Sequence, residues 1–359
     1  MTTPPREVII ELLYDDVDIS EDVAPFLESF RYVDRTLPNK MDELSVTFQD
    51  TNGLWRGGWM PERGAKFAGK IKAFNWFDYG DKFERDCGSF EIDDITSSSN
   101  PSSTFQVGAI SVGITNSIRR QQNTKAWEEI AIKQIAQDIA KAHDFELKWF
   151  SSYNPVMERW EQKGQSDLSV LIDICEYAGL MIKITDKYII IFQGEEFDKE
   201  KPEVTIYRSE GNVQSWEFNM NSSDIYAAAE VKYYDTKKKE LIEYIFYSDD
   251  VQGDKKDAEK GDIPDPEVGQ ILKINRRVKD IAEAEAVAKA ALRSKNMRQV
   301  RGTLTMMGRP DLYSGMTINV YGFGRWDKVI WNIEEISHDY SKTSGYNSTL
   351  TLRGILIGY

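Results

Sequence analysis

Few side chains in the 359-residue chain have the type and spacing that catalysis needs. The chain contains two histidines, His143 and His338, and two cysteines, Cys87 and Cys175. The histidines lack the spacing of a metal-binding motif, and nothing places a cysteine beside a histidine as nucleophile and base. Two cysteines make neither a disulfide framework nor a metal cluster. We predict that both are reduced thiols packed among apolar residues.

Two pairs of adjacent carboxylates, Asp93-Asp94 and Glu334-Glu335, raise the question of glycoside hydrolysis. That reaction needs two carboxyl groups facing each other across a cleft. Both pairs fall in predicted strands, where neighbouring side chains point to opposite faces of the sheet. Neither pair can then act as a catalytic dyad. We therefore predict no catalytic residue, no metal site and no cofactor, and a protein that is not an enzyme.

The segment around Gly322 and Gly324, Gly-Phe-Gly, has the composition of a phosphate-binding loop. Such a loop needs a strand, a glycine turn and then the N-terminus of a helix that points at the phosphate. Here residues 325–327 lead straight into a predicted strand. The sequence therefore predicts a hairpin or a β-bulge instead of a nucleotide site.

The overall charge limits the classes of partner. With 45 basic and 59 acidic residues, the chain has a net charge of −14. A groove that grips nucleic acid would need a basic stripe. The acidic excess fits the wall of a conduit that must not retain DNA, and it fits equally well acidic groups on solvated outer faces. No apolar run approaches ~20 residues and no signal peptide is recognisable, so we expect no membrane span and no cleavable export signal.

The texture of the sequence divides the chain. Residues 1–110 read as short antiparallel strands separated by Gly, Pro, Asn and Ser, as in a small β-barrel. Residues 111–202 combine helices and strands. Residues 203–238 and 298–359 are again β and are predicted to form a second barrel. Residues 239–297 are an insertion containing a hairpin, a charged loop at 249–269 that reads as mobile, and a helix. The predicted fold class is mainly β with α+β insertions: two similar small antiparallel β-barrels and two smaller α/β domains.

The first predicted helix begins at Thr124. Trp127, Ala131, Ile135 and Ile139 recur at steps of four residues and form one apolar stripe. Thr124 is the predicted N-cap.

A second and a third helix follow. The second starts after Ser166, the predicted N-cap, and stops at Gly179, the predicted C-terminal glycine. A hairpin comes next, at 181–192. The third helix covers the Ala-rich run 280–298, with Ile281 and Leu292 on its apolar side.

The two β portions resemble each other. Three pairs of segments occur in the same order: 61–64 with 310–315, 90–96 with 331–337, and 103–107 with 348–352. Any two antiparallel β domains share alternating patterns, so short matches also arise by chance. If the similarity is real, one chain carries two copies of one barrel. Three such chains would then present six similar barrels in a ring.

The C-terminal pattern resembles a known family. Its residues are Gly308, Pro310, Leu312, Gly315, Ile318, Val320, Gly322 and Phe323. With the segments 42–48, 59–61, 165–168 and 177–179, this pattern is similar to the late control protein D family of phage tails. These are baseplate central hub proteins, similar to the hub-like part of type VI secretion spike proteins.

The resemblance implies a structural role. Members are homotrimers whose two tube barrels per chain form a pseudo-six-fold ring, with one face toward the six-fold tail tube and the other toward the three-fold spike. The implied partners are the chain itself, the tube or a tube-initiator ring, the spike and other baseplate proteins. DNA is expected only in passage through the lumen, and no stable membrane association is expected. The implied location is the virion tail baseplate, or an equivalent particle, assembled in the bacterial host cytoplasm.

Two other classes of function stay open at this stage. One is a peptidoglycan-cleaving tail enzyme, although no fused lysozyme-like or peptidase domain is recognisable and wall digestion is expected to belong to a neighbour. The other is a carbohydrate-binding β protein that uses its tryptophans. Trp55, Trp59, Trp76 and Trp326 are candidates for surface contacts, or they fill barrel cores.

Overall fold

A computed structural model describes most of the chain. It covers residues 4–36, 40–99, 102–111, 117–194, 198–210, 212–221, 225–235, 239–247, 270–278, 280–297 and 299–355. The strands are β1 (Glu7–Tyr14), β2 (Val17–Asp18), β3 (Leu27–Arg35), β4 (Glu43–Gln49), β5 (Lys66–Phe74), β6 (Lys82–Ser99), β7 (Ser103–Ile110), β8 (Gln122–Ala131), β9 (Glu146–Phe150), β10 (Val156–Ser166), β11 (Met181–Ile184), β12 (Tyr188–Phe192), β13 (Val204–Tyr207), β14 (Val213–Met220), β15 (Tyr226–Asp235), β16 (Glu240–Tyr247), β17 (Gln270–Ile274), β18 (Val300–Met307), β19 (Thr317–Tyr321), β20 (Trp331–Ser341) and β21 (Gly345–Gly354). The α-helices are α1 (Ser20–Val23), α2 (Ser117–Arg120), α3 (Ile132–Ala142), α4 (Asp167–Ala178) and α5 (Ile281–Asn296). The mainly β fold class predicted from the sequence is confirmed.

A 13-stranded sheet contains the same strand arrangement twice. The first module consists of β1 and β3 to β7, which lie in the spatial order β1-β5-β6-β7-β4-β3. The second module consists of β13, β14 and β18 to β21, in the order β13-β19-β20-β21-β18-β14. Numbered along the chain within each module, both paths read first, fourth, fifth, sixth, third, second. They differ at the first strand, since β1 is antiparallel to β5 whereas β13 is parallel to β19.

Irregularities of the sheet also repeat. The pairing of β3 with β4 shifts register at Glu28, and the pairing of β14 with β18 shifts at Gln214. The pairing of β6 with β7 shifts at Asp93, and that of β20 with β21 shifts at Glu334. A β-bulge adds one residue to one strand and locally bends it. Two bulges at corresponding places make a chance likeness of alternating strands a poor explanation.

One glycine turn is the same in both modules. The amide of Gly64 donates to the carbonyl of Ile92 at 2.8 Å, and the amide of Gly315 donates to the carbonyl of Ile333 at 2.7 Å. Both glycines have a positive φ, 87° and 93°. This backbone region strongly favours glycine, which explains why the residue type recurs. The predicted correspondence of 61–64 with 310–315 therefore has a structural basis.

One of the three predicted matches needs a shift of two residues. Ile95 lies opposite Val107, and the corresponding Ile336 lies opposite Leu350. Segment 103–107 therefore corresponds to 346–350, and the match to 348–352 was wrong in register. Side chains alternate with a period of two, so a slip of two residues keeps every side chain on its face and leaves the sequence pattern intact.

Each module has an apolar core. The first contains Phe30, Phe48 and Phe105, and the second contains Trp331 and Leu350, all at most 1% exposed. The alternation of buried and exposed residues along β5 and β18 is that of strands with one face on a core.

Between the modules lie two small sheets with α3 and α4. β8 pairs with β10, and β11, β12 and β9 form a three-stranded sheet. The helix predicted from Thr124 was wrong at its start. Residues 122–131 are strand β8, and α3 begins at Ile132, after Ala131 at its N-cap. Trp127 lies opposite Trp160 on β10 and still packs in the same core as Ile135, so the apolar spacing continued from the strand into the helix.

The second helix agrees with the prediction at both ends. Ser166 caps α4 by accepting a hydrogen bond from the amide of Ser169 at 3.2 Å. Gly179 ends it in the left-handed conformation. The predicted hairpin at 181–192 is β11 and β12.

A further sheet is inserted into the second module. β15 pairs with β16 and β17, and α5 packs on this sheet. The prediction that residues up to 238 belong to the second barrel was therefore wrong for β15. α5 begins after Asp280, which caps it through the amide of Glu283. Leu292 is buried as predicted, but Ile281 is 60% exposed. The charged loop at 249–269 lies outside the described residues.

None of the described helices combines the length and the apolar character that crossing a bilayer requires.

Candidate assembly interface

The two modules are joined by β3 and β20. β20 pairs with β21 along one edge. Along its other edge it pairs with β19 only at Ile318 and Thr317, and from Glu335 onward it pairs with β3 as far as Ser341. A strand of the first module thus completes the edge of a strand of the second. We call this antiparallel pairing the β3–β20 joint.

His338 packs inside this joint. Its ring stacks on Tyr32, with ring centroids 5.8 Å apart, and its Nδ1 lies 2.8 Å from the hydroxyl of Tyr346. Burial, followed by the positive charge of Arg85, lowers the pKa of His338 to about 3. The imidazole is therefore neutral at ordinary pH and acts as a packing residue between strands of both modules.

A buried ionic cluster lies at one end of the joint. The carboxylate of Asp34 on β3 is bonded by Lys183 from β11 and accepts hydrogen bonds from Arg85 at 2.9 Å and from the Ser314 hydroxyl at 2.6 Å. Lys183 also contacts Asp42 at 3.2 Å. We call these five residues the Asp34 cluster. One carboxylate links the first module, the second module and the small sheet between them.

The charges of this cluster are set by burial and pairing. Burial opposes ionisation of Asp34, but the Lys183 ammonium and the hydrogen bonds from Lys183 and Ser314 outweigh it and hold its pKa below the ordinary value. Burial, together with the nearby Asp34 charge, raises the pKa of Asp42 to about 6 although Lys183 opposes this. The two carboxylates raise the pKa of Lys183 despite its burial. Asp34 and Lys183 therefore form a charged pair, and removing only one of the two charges is expected to destabilise the fold strongly.

The carboxylates of Glu334 and Glu335 bind different arginines. Glu334 contacts Nε of Arg353 at 3.3 Å, and Glu335 accepts a hydrogen bond from Nε of Arg35 at 2.8 Å. The second of these pairs crosses the β3–β20 joint. Both glutamates therefore serve ion pairs in the sheet.

The corresponding pair in the first module is less constrained. Asp93 lies at the bulge, with Arg63 4.0 Å away, and Asp94 accepts a hydrogen bond from the hydroxyl of Thr96 at 3.2 Å. Asp94 is exposed.

The glycine pair forms a turn whose amides are already occupied. The carboxylate of Asp327 accepts hydrogen bonds from the amides of Gly322 at 3.0 Å and Phe323 at 2.8 Å. A short 3-10 helix, Gly324–Lys328, follows before β20, which the sequence analysis did not predict. The Asp327 carboxylate occupies the amides that a phosphate would need. The turn therefore serves to connect β19 with the segment before β20 and does not bind phosphate.

The four tryptophans fall into two groups. Trp55 and Trp76 are buried, at 5% and 6% exposure. Trp76 donates a hydrogen bond to the carbonyl of Gly308 at 2.6 Å and so connects the two modules. Trp326 is partly buried in the core of the second module, and Trp59 is 40% exposed. Of the candidates for surface contacts, only Trp59 presents a large exposed area.

Both cysteines are buried and free. Burial raises the pKa of Cys87 and raises that of Cys175 to about 12. A thiol that stays protonated is a poor nucleophile, in agreement with the predicted packing role. Cys87 lies inside β6.

The sequence analysis missed a hydrogen-bonded chain around His143. Nδ1 of His143 lies 2.5 Å from the hydroxyl of Ser117, and Nε2 lies 2.8 Å from the carboxylate of Asp167. These are the residue types of a hydrolase triad. Asp167 also accepts hydrogen bonds from Gln162 at 2.7 Å and Asn123 at 3.1 Å. The three residues connect α2, the end of α3 and the start of α4, and no short motif in the sequence joins them.

Comparisons with known proteins place the fold. No protein-family profile matches the chain, and no curated protein matches it in sequence. Several solved structures share the fold. The 43 kDa tail protein of prophage MuSo2 from Shewanella oneidensis is 10% identical, with a TM-score of 0.67 over 96% of this chain and 97% of that one. A tail protein from Neisseria meningitidis MC58 is 10% identical, with a TM-score of 0.64 over 96% of each chain.

The third structure extends the likeness beyond phages. The E. coli c3393 protein is 12% identical, with a TM-score of 0.55 over 98% of this chain and 78% of that one. It is described as a component of the type VI secretion system with structural similarity to the T4 tail proteins gp27 and gp5. The fold is thus that of phage tail proteins and of their type VI secretion counterparts. The resemblance to a phage tail hub protein, inferred above from scattered residues, is confirmed at the level of the fold.

Proposed function

We propose that the protein is a structural hub of a contractile phage tail or a related injection machine. It acts as a homotrimer whose modules form a pseudo-six-fold ring, and this ring joins the six-fold tail tube to the three-fold spike. Its work is mechanical and it catalyses no reaction. Its place is the baseplate of the virion tail or of an equivalent particle.

One observation carries this proposal. The chain contains two modules with the same strand order, the same two bulges and the same glycine turn. Closed cyclic symmetry is the usual arrangement of homo-oligomers. Three chains with two modules each present six similar surfaces, which is what a three-fold assembly needs in order to meet a six-fold ring.

Proteins that share this fold also support the proposal. Tail proteins from two bacterial genomes share it over nearly their whole length. The c3393 protein, a component of the type VI secretion system with structural similarity to the T4 tail proteins gp27 and gp5, also shares it. The partners proposed for this chain are therefore further copies of itself, a tube or tube-initiator ring, a spike and other baseplate proteins. DNA would pass through the lumen without being retained, as the net charge of −14 allows.

The proposal is tested by the mass and shape of the purified protein. Light scattering on a sizing column should give three times the chain mass of 41.2 kDa. Class averages of negatively stained particles should show a ring with three-fold symmetry and six lobes. A stable dimer, or a trimer whose averages show three lobes without a six-fold appearance, would contradict the proposed function.

A further inference from the structure

We propose that strand β14 of one copy adds to an open edge of strand β6 in the next copy, at residues 94–99. The pairing is antiparallel and repeats between chains the β3–β20 joint found within each chain. The inference rests on the proposed trimer and identifies the strands that build it.

The equivalence of the two modules defines the register. The matched bulges and pairings superimpose Ile95 of β6 on Ile336 of β20. They also superimpose Trp216 of β14 on Phe30 of β3, since these residues lie opposite Leu304 and Val46. The pairs of the β3–β20 joint can then be transferred one by one.

The transferred register gives specific neighbours. Asp339 lies opposite Arg31 in the β3–β20 joint, so Ser98 is expected opposite Glu217 of the neighbouring copy. By the same transfer, Thr96 lies opposite Asn219.

Both edges are open among the described residues of the single chain. β14 is a terminal strand of the 13-stranded sheet and pairs with β18 on one side. β6 pairs with β5 up to Glu91 and with β7 from Glu91 to Ser99. For residues 94–99, the edge facing away from β7 has no paired strand in the part of the chain that the structure describes. On β20, the corresponding edge is the one that β3 occupies.

The exposure of the side chains supports the same pairing. In β3, which β20 covers, Phe30 and Asp34 are buried at 1% and 4% exposure. The residues in the same places on β14, Trp216 and Met220, are 41% and 58% exposed. An open strand edge that carries large apolar side chains is a template for association, and native proteins cover or charge such edges. Within the described ranges no strand covers this edge of β14, and β14 contains no lysine.

The opposite strand offers complementary side chains. Residues 96–99 of β6, Thr-Ser-Ser-Ser, are exposed and small. In the transferred register Ser99 faces Trp216, Ser97 faces Phe218 and Ile95 faces Met220. A large side chain meets a small one at two of these positions, and the third pair is apolar. Directly opposite residues on antiparallel strands are close enough to pack in this way.

Repetition of this pairing closes the ring. Each chain supplies one β3–β20 joint internally, one free β14 and one free β6 edge. Three copies therefore alternate internal and intermolecular joints around the axis and leave neither edge exposed, which is how a closed sheet removes its edges.

Engineered disulfides test the register. Ser98→Cys combined with Glu217→Cys should give a covalent trimer on a non-reducing gel, because the Cα atoms of opposed residues lie within the distance that a disulfide spans. Arg31→Cys with Asp339→Cys is the matched internal control, and it should form the corresponding disulfide within one chain. Thr96→Cys with Glu217→Cys is the off-register control, displaced by two residues along the strand, and should cross-link at least about tenfold less.

The combination with solution mass separates the two proposals. A native trimer that cross-links through Ser98→Cys and Glu217→Cys supports both. A native trimer without this cross-link overturns the β14–β6 pairing and leaves the hub proposal standing. A cross-link in a particle that is not a trimer supports the pairing and contradicts the hub. A monomer that forms no cross-link at any concentration overturns both.

A second variant guards against effects of the cysteines. Met220→Lys puts a charge on the inner face of the proposed joint, and it should raise the dissociation constant of the trimer at least about tenfold. Tyr79→Lys changes a residue that is 75% exposed and lies outside the joint, and should leave assembly unchanged. Equal assembly of the two variants, with melting temperatures like that of the parent, would overturn the pairing.

Discussion

Strands β3 and β14 occupy the same place in the two modules and differ in what surrounds them. β3 is covered by β20 and by the small sheet that carries Lys183. β14 is terminal, and its side chains are mostly exposed. The residues follow their surroundings, since Asp34 on β3 is buried among cations and Met220 at the same place on β14 is exposed. The comparison shows that the same strand position forms an internal joint in the first module and an open edge in the second module.

The chain connectivity explains part of this difference. After β3, which ends at Arg35, the next element along the chain is β4, which begins at Glu43. After β14 the chain leaves the sheet for the insertion of β15, β16, β17 and α5 before it returns as β18. The connection of the first module supplies Asp42 to the Asp34 cluster.

The largest expected effect comes from removing the buried carboxylate. Asp34→Ala removes the carboxylate shared by the partly buried Lys183 and Arg85, and removal of one member of a buried ion pair typically costs about 3–5 kcal/mol. Met220→Ala changes the equivalent exposed residue and should alter the free energy of unfolding by less than about 0.5 kcal/mol. Urea denaturation of both variants, at concentrations where the protein is monomeric, measures the two values. Equal effects would mean that the two strands have similar surroundings in solution.

A smaller, pH-dependent effect is expected from His338. The native state keeps this imidazole neutral down to about pH 3, whereas an unfolded histidine takes up a proton near pH 6.5. The stability tied to the neutral ring is present above pH 6.5 and is lost as the pH falls toward 3. The difference in unfolding free energy between parent and His338→Phe should therefore change by up to about 1.4 kcal/mol per pH unit in this window.

The control for this titration is Tyr346→Phe, which removes the hydroxyl beside the ring and keeps the histidine. It should retain the slope of the parent. A difference between parent and His338→Phe that does not vary with pH would show that the ring is protonated in the native state, or that it is open to solvent.

The smallest expected effect concerns the chain of Ser117, His143 and Asp167. If its role is to connect helices, Ser117→Ala should lower the unfolding free energy by about 0.5–1.5 kcal/mol, and the protein should clear no cell-wall substrate on a zymogram. Ser209→Ala changes an exposed serine that is not part of this hydrogen-bonded group, and it should have no effect on either measurement. Clearing by the parent that Ser117→Ala abolishes would establish a hydrolase and contradict the non-enzymatic role.

The sequence predicted most of the strands but not what their edges do. The pattern in residues 1–110 predicted short antiparallel strands, and β1 to β7 lie in that region. Ser166 and Gly179 defined α4 because capping is a local interaction. The start of α3 was misplaced because the apolar residues spaced by four from Trp127 continue from strand β8 into the helix. Both elements pack on the same core, so the spacing does not mark the boundary. β15 was assigned to the wrong sheet because the residues of a strand do not specify which strand it pairs with.

What the sequence by itself determined was the repeated order of segments, since glycines that need a positive φ and alternating strands depend on local residue types. Only the tertiary structure decided which strand edges of each module are paired and which are open. Lys183 reaches Asp34 across ~150 residues, and β3 reaches β20 across ~300 residues, through contacts that depend on how sheets pack and leave no local pattern. The physical reason is that backbone hydrogen bonds join strands without regard to side-chain identity, so which edges pair is settled when the whole sheet forms.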